Sequence, residues 1–263
     1  MKYTIAILSA VLFGLTICAH AAIDPIPCAV GNHWEYDCAR INKGVMEYKG
    51  NKIADMYDTA SGSAVYEVLS VDNGASTPVY SYRETTSTCS TVNGRSTIEK
   101  NDMKLTSDSG ALKIRDTEDV AEETAKPVKV SYDPPLLYWL KGAEVGKSWD
   151  VGVIRGDGTQ EPLSAKVVGK ETVTVPAGTF KDCLKVIYTS DSSSGSIDLM
   201  SMKFTITSGK SRGIYWIADG VGVVKELEVS TSAAEAPGPA GGTVTLSGGT
   251  CTVNELRPGY VVK

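Results

Sequence analysis

Residues 163–189, LSAKVVGKETVTVPAGTFKDCLKVIYT, decide the fold. Strand-forming Val, Thr, Ile, Phe and Tyr fill 163–175 and again 180–189, and Val175-Pro176-Ala177-Gly178 lies between them. Proline there presets φ at about −65° and glycine frees the exit of the turn, so the segment predicts a β-hairpin closed by a type I turn. The same alternation of strand runs and turn residues extends outward in both directions. Segments 34–39, 64–71, 78–86, 128–132 and 148–154 precede it, and 200–207, 213–218, 221–229, 243–247 and 250–256 follow. About a dozen short strands at the spacing of a sandwich or barrel predict an all-β protein, an antiparallel curved sheet that forms an incomplete barrel or a sandwich. Two connections carry the residues that tolerate positive φ: Asp72-Asn73-Gly74, and Asp219-Gly220, which reads as a two-residue type I′ turn.

Helical signals are few. The stretch 112–125 has a helical flavour, and Asp116, Glu118, Asp119, Glu122 and Glu123 make it an acidic surface loop or single helix. The run 233–242, rich in Ala, Pro and Gly, reads as a flexible hairpin tip. Gly31-x-x-Trp34 and Gly146-x-x-Trp149 both open strands, which suggests two β-rich halves meeting near 127–135 within a single domain spanning 22–263.

The amino terminus predicts export. Lys2 is followed by an uncharged apolar run over 5–17 and by Ala19-His20-Ala21, the small-x-small form of a signal-peptide cleavage site, so 1–21 is read as a secretory signal. The apolar run is too short for a transmembrane span, which needs about 20 residues. Lipid anchoring at Cys18 is disfavoured because bulky Ile17 precedes it. Whole, the 263 residues carry 26 Lys+Arg against 31 Asp+Glu, a net charge of −5. Without the signal, 25 basic residues face 31 acidic ones, the charge is −6, and one His and five Cys remain. That balance offers no basic footprint for nucleic acid or for an anionic membrane surface.

In an oxidising compartment the five cysteines read as two disulfides and one spare thiol. If 32–38 is extended it spans roughly 20 Å, which the four residues back to Cys28 cannot recover, so Cys28 and Cys38 are not partners. Cys38 with Cys89 is the expected bridge, since both sit in strand-like runs, and Cys28 with Cys251 would staple the amino terminus to the last strand. Cys183 is then the free thiol.

In the order of the chain, Tyr132-Asp133-Pro134-Pro135-Leu136-Leu137, Gly146-Lys147-Ser148-Trp149, 173–180 with Asp182-Cys183-Leu184-Lys185-Val186, and Tyr215-Trp216 with 220–225 form a recognisable series. With these segments the chain resembles the TapB-like group of exported bacterial β-proteins of unknown function. The likeness covers about 130–227, and Gly31, Trp34 and Tyr36 fit its opening motif; no pattern of the group is present over 40–126 or after 229. It implies a curved, mainly antiparallel sheet similar to the lipoprotein-carrier fold, in the bacterial envelope. It implies no activity, and its signature residues are turn and core types, so no catalytic residue carries over.

Chemistry read directly from the residues is equally sparse. His33 is the single imidazole left for a Ser/His/Asp triad, and no GxSxG motif surrounds any serine. One His and mostly paired Cys cannot build a zinc, copper or non-haem iron site. Residues 191–198 mimic a calcium loop, but Gly195 stands at its fifth place and Met202 replaces the closing Glu, so a polar hairpin turn is the better reading. Arg155-Gly156-Asp157 matches an adhesion tripeptide and reads more simply as a turn. No acid pair of the glycosidase kind stands out.

No catalytic, cofactor-binding or metal-ligating residue is therefore expected, and no cofactor. Two functions remain: a binding module that holds a hydrophobic or lipid-like ligand in a curved sheet, and a non-enzymatic structural or protein-interaction module of the cell envelope. A hydrolase with no identifiable site is the third.

Overall fold

The structure is a computed structural model and describes residues 23–120, 127–156, 158–199 and 202–263. The expected signal sequence, Cys18, and Asp157 of the adhesion-like tripeptide lie outside the described residues. Thirteen strands form one antiparallel sheet: β1 (His33–Tyr48), β2 (Asn51–Asp72), β3 (Val79–Ser90), β4 (Ser96–Ser107), β5 (Ala111–Val120), β6 (Val128–Leu140), β7 (Ser148–Gly156), β8 (Thr159–Val175), β9 (Gly178–Ser190), β10 (Ser194–Leu199), β11 (Met202–Ala218), β12 (Gly222–Pro237) and β13 (Thr243–Leu256). No helix among the described residues is long and apolar enough to cross a membrane.

The chain meanders from β1 to β6 on one side, restarts at the opposite end with β7 and β8, and returns through β9, β11, β12 and β13 to pair with β1. β10 continues the column of β9 past a turn, pairing with both β8 and β11. The sheet curls until its two end strands, β6 and β7, face each other without a backbone ladder. Side chains bridge that seam instead. Trp149 Nε1 donates to the Leu137 carbonyl at 3.1 Å, the Tyr132 hydroxyl donates to the Arg155 carbonyl at 3.3 Å, and the Trp139 and Trp149 rings meet edge to face at 5.5 Å. A single curved sheet thus curls on itself without closing into a regular barrel, as the turn and strand pattern predicts.

Its core is aromatic at one end, with Trp34, Tyr36, Trp139, Trp149, Leu105 and Leu256 almost fully covered. Trp34 Nε1 donates to the Val221 carbonyl and the Tyr36 hydroxyl to the Val223 carbonyl, which fastens β1 to the β11–β12 turn and satisfies both buried donors. A smaller cluster of Met46, Phe204, Ala234, Ala236 and Val244 closes the opposite end.

Several expectations are corrected. The helical flavour over 112–125 is strand β5 as far as Val120, with Leu112 and Ile114 turned inward and Glu118 paired with Lys129 of β6; 121–126 lie outside the described residues. Only 238–242 form a tip after β12, because Ala234 and Ala236 alternate inward into the smaller cluster. The 219–220 connection is one residue longer than a type I′ turn, since Ala218 pairs with Gly222, and of the three residues between them Gly220 has the positive φ, 67°. Residues 243–256 are one strand, not two. Gly248 does not break it, for it lies against β1 so closely that a Cβ there would stand 2.5 Å from the Lys43 carbonyl oxygen.

Candidate functional site

The curled sheet encloses a polar chamber of about 160 Å³ and, next to it, a chamber of about 300 Å³. Tyr138, Tyr215, Glu228 and Thr252 line both, so the two adjoin. The larger is lined by Ile114, Leu136, Val151, Ile154, Leu163 and Val229 among others.

The polar chamber is built by strand register. Tyr215 of β11, Glu226 of β12, Asn254 of β13, Cys38 of β1 and Gly62 of β2 stand opposite one another in one row across five strands. Outside that row, Lys185 and Lys225 lie over the ring of Trp216, and their ammonium groups pair with Glu171 and Glu255 at 2.8 and 2.6 Å. With Lys225 held on the outer face, the strand's alternation turns Glu226 inward.

Glu226, 6% exposed, accepts from Asn254 Nδ2 at 2.5 Å and from the Tyr66 hydroxyl at 3.1 Å. Asn254 Nδ2 also donates to the Tyr66 oxygen at 3.1 Å. Asn254 Oδ1 is left buried with no donor. Glu228, exposed at the rim, accepts from the Tyr215 hydroxyl at 2.5 Å, and half-buried Glu84 reaches the chamber from β3. Arg40 is the one cationic side chain of the lining, and its guanidinium forks onto Glu99 with two bonds of 2.7 Å. Tyr36, Tyr66 and Tyr82 stand in contact, with ring centroids 4.7 and 6.2 Å apart.

Burial and crowding of carboxyls shift these acids. Glu84 is pushed up to about 8, first by loss of water and then by the Glu228 and Asp119 charges. Glu226 is held well above the usual carboxylate range, again mainly by burial, with Glu228 and Glu84 adding repulsion. The site therefore holds protons at neutral pH that ordinary glutamates would release.

Of the residues singled out in the sequence, Trp34, Tyr36 and Tyr215 line the chamber, and Cys38 stands in its strand row; none of its acids was among them. The two expected disulfides do not form: all five described cysteines are free. β2 runs between Cys38 on β1 and Cys89 on β3, so their backbones stand two strand spacings apart, about 10 Å and beyond a bridge. Cys251 pairs across from Ile41, eight residues along β1 from His33, whereas Cys28 precedes that strand. Cys183 is buried, as is Cys38, whereas Cys28 and Cys251 are half-buried and Cys89 is exposed. His33 lies between Glu35 at 3.2 Å and Glu67 at 3.4 Å, paired rather than aimed at a serine. No group of three or more metal-ligating side chains occurs among the described residues.

The acid group was missed because Glu226 and Glu228 alternate with Leu227 and Val229, a pattern that reads as apolar-in and charged-out. Only the inward set Tyr80, Tyr82, Glu84 and Thr86 on β3 hinted at a polar lining.

The family described as Protein of unknown function (DUF3108) matches residues 61–235. No curated protein matches the chain. Among solved structures, a candidate lipoprotein from Parabacteroides distasonis aligns over 89% of this chain and 99% of its own, at 16% identity and a TM-score of 0.36. A candidate exported protein with a YmcC-like fold from Bacteroides fragilis aligns over 90% and 98%, at 15% identity and a TM-score of 0.32.

Proposed function

The chain belongs to the family described as Protein of unknown function (DUF3108), which assigns it no activity, and from its own geometry we propose that it is an exported, non-enzymatic binding module that holds a hydrophobic or lipid-like ligand inside the curled sheet. One observation carries the reading: a mainly apolar chamber of about 300 Å³, with Glu161 and Arg212 also in its wall, adjoins a polar one of about 160 Å³, an amphiphilic interior within the size range of small-molecule sites. Export rests on the signal-like amino terminus, and an envelope setting on the resemblance to the TapB-like group.

Extraction of the purified mature protein into organic solvent, followed by mass spectrometry, should release an amphiphile, and 1-decanol should bind the emptied protein in calorimetry. Leu163→Trp, which fills the apolar chamber, should abolish decanol binding while leaving the fold intact by circular dichroism. An empty extract together with no heat of decanol binding defeats the proposal.

A further inference from the structure

We propose that the polar chamber is the headgroup site of this module and that the headgroup it takes is a protonated amine, making the ligand an alkylammonium-type amphiphile. The inference rests on the binding reading above and adds the chemistry of one end of the ligand.

The lining of the polar chamber is rich in acceptors. Three carboxyls, Glu84, Glu226 and Glu228, converge there, and the one guanidinium of the lining, Arg40, gives both terminal nitrogens to Glu99 and keeps a buried Nε without a partner. Asn254 is 3% exposed, lines the chamber, and has its carbonyl oxygen without any partner. A buried acceptor left unpaired costs about 1–3 kcal/mol in a protein interior, so the vacancy is suited to a group that brings N–H donors.

The rings point to the same chemistry. Tyr36, Tyr66, Tyr82, Tyr138 and Tyr215 surround the carboxyls, and aromatic faces beside carboxylates are the surroundings in which a desolvated ammonium is held by cation–π attraction and charge-assisted hydrogen bonds. An anionic head is disfavoured, because it would add a like charge to three acids in a poorly hydrated space. A neutral hydroxyl would satisfy Asn254 but leave the carboxyls uncompensated. In the free protein Glu84 and Glu226 keep protons to higher pH than usual, and an arriving ammonium would supply the positive charge in their place.

Calorimetry of the mature, delipidated protein with decylamine, 1-decanol and decanoate at pH 8 tests this, since the three share a chain and differ in the head. Decylammonium should bind at least about 10-fold tighter than decanol, and decanoate weaker than both. In Glu84→Gln/Glu226→Gln the preference for the amine over the alcohol should collapse to about 2-fold or less while decanol binding persists. Should that variant fail to fold, Glu228→Gln, at the exposed rim, should still cut the preference several-fold. Decanol binding without amine preference, or a preference that survives these substitutions, overturns the headgroup assignment alone. Failure of all three ligands to bind overturns the binding reading and this inference with it.

Discussion

The Glu226 carboxylate and the Asn254 amide, on neighbouring strands β12 and β13, are locked at 2.5 Å with the amide carbonyl left unpaired. The bond anchors a buried charge-bearing group by one neutral donor and one tyrosine hydroxyl, with no cation in contact. A buried acid so held is a cost to the fold that a purely structural protein would not need to keep.

Replacing Glu226 separates the acceptor from the charge. Glu226→Gln keeps an oxygen for Asn254 and Tyr66 and removes the ionisable group, so it should raise stability at pH 8. Glu226→Ala removes the acceptor, opens space in the wall and should cost about 2 kcal/mol or more. Urea unfolding of both variants beside the parent checks the two signs, and a Gln variant as damaged as the Ala variant would contradict the argument.

The thiols give a count. With β2 between Cys38 and Cys89, and Cys28 ahead of β1 while Cys251 lies opposite Ile41 in the middle of that strand, the denatured, unreduced mature protein should titrate five thiols. In the native state exposed Cys89 should react first, whereas Cys28, whose thiol burial pushes up to about 12, should stay protonated and slow. A denatured count of one would restore the two bridges that the spacing of the cysteines suggests.

That comparison shows where sequence reading stops. Turn chemistry is local, so the hairpin at Pro176 and Ala177, the Asx turn in which Gly74 N–H donates to Asp72 Oδ1 at 2.8 Å, and the all-β class are all legible from adjacent residues. Pairing between strands is not local. Cys38 and Cys89 look like neighbours until β2 extends back to Asn51, and over 51–63 apolar residues such as Ile53, Met56 and Tyr57 are scattered on both faces among polar ones, so no clean alternation marks the extension. Gly248 reads as a break because a glycine freed for a turn and a glycine pressed against Lys43 have the same letter. The acidic chamber was hidden by inversion, since the cation–π stack of Lys185, Trp216 and Lys225 outside the sheet sets which face of β12 looks in.

The seam makes a mechanical prediction. β6 and β7 share no ladder, so the Trp149 indole bond to the Leu137 carbonyl carries much of their contact. Trp149→Phe keeps most of the apolar volume and removes the donor, leaving a covered carbonyl unpaired at a cost of about 1–3 kcal/mol. Hydrogen exchange should quicken in β7 and the end of β6 while β1 and β13, each paired on both sides, keep their protection. Uniform loss of protection across the sheet would show that the seam is not a separate unit.

Stability should fall from mildly acid to alkaline pH, and the sign follows from the acids of the chamber. Glu84 binds its proton up to about 8 in the folded state against 4.5 for an ordinary glutamate, so between those values the folded chain holds the extra proton. Its contribution is complete below about 4.5 and is lost as the pH climbs through 8, at up to about 1.4 kcal/mol per pH unit. Glu226, raised chiefly by burial, acts in the same sense, and the groups facing the pair are Glu228, Asp119, Arg40 and the tyrosines, whose hydroxyls stay protonated throughout this range. On the acid side the trend reverses. The Arg83 guanidinium beside Asp102 holds that carboxyl below its usual range, a gain present above the unfolded value and lost as pH falls through the folded one. Thermal melts should therefore show a maximum near pH 5 and a decline to pH 9. In Glu84→Gln/Glu226→Gln the decline should flatten while the acid limb is unchanged; an alkaline slope as steep as the parent's would place the responsible groups elsewhere.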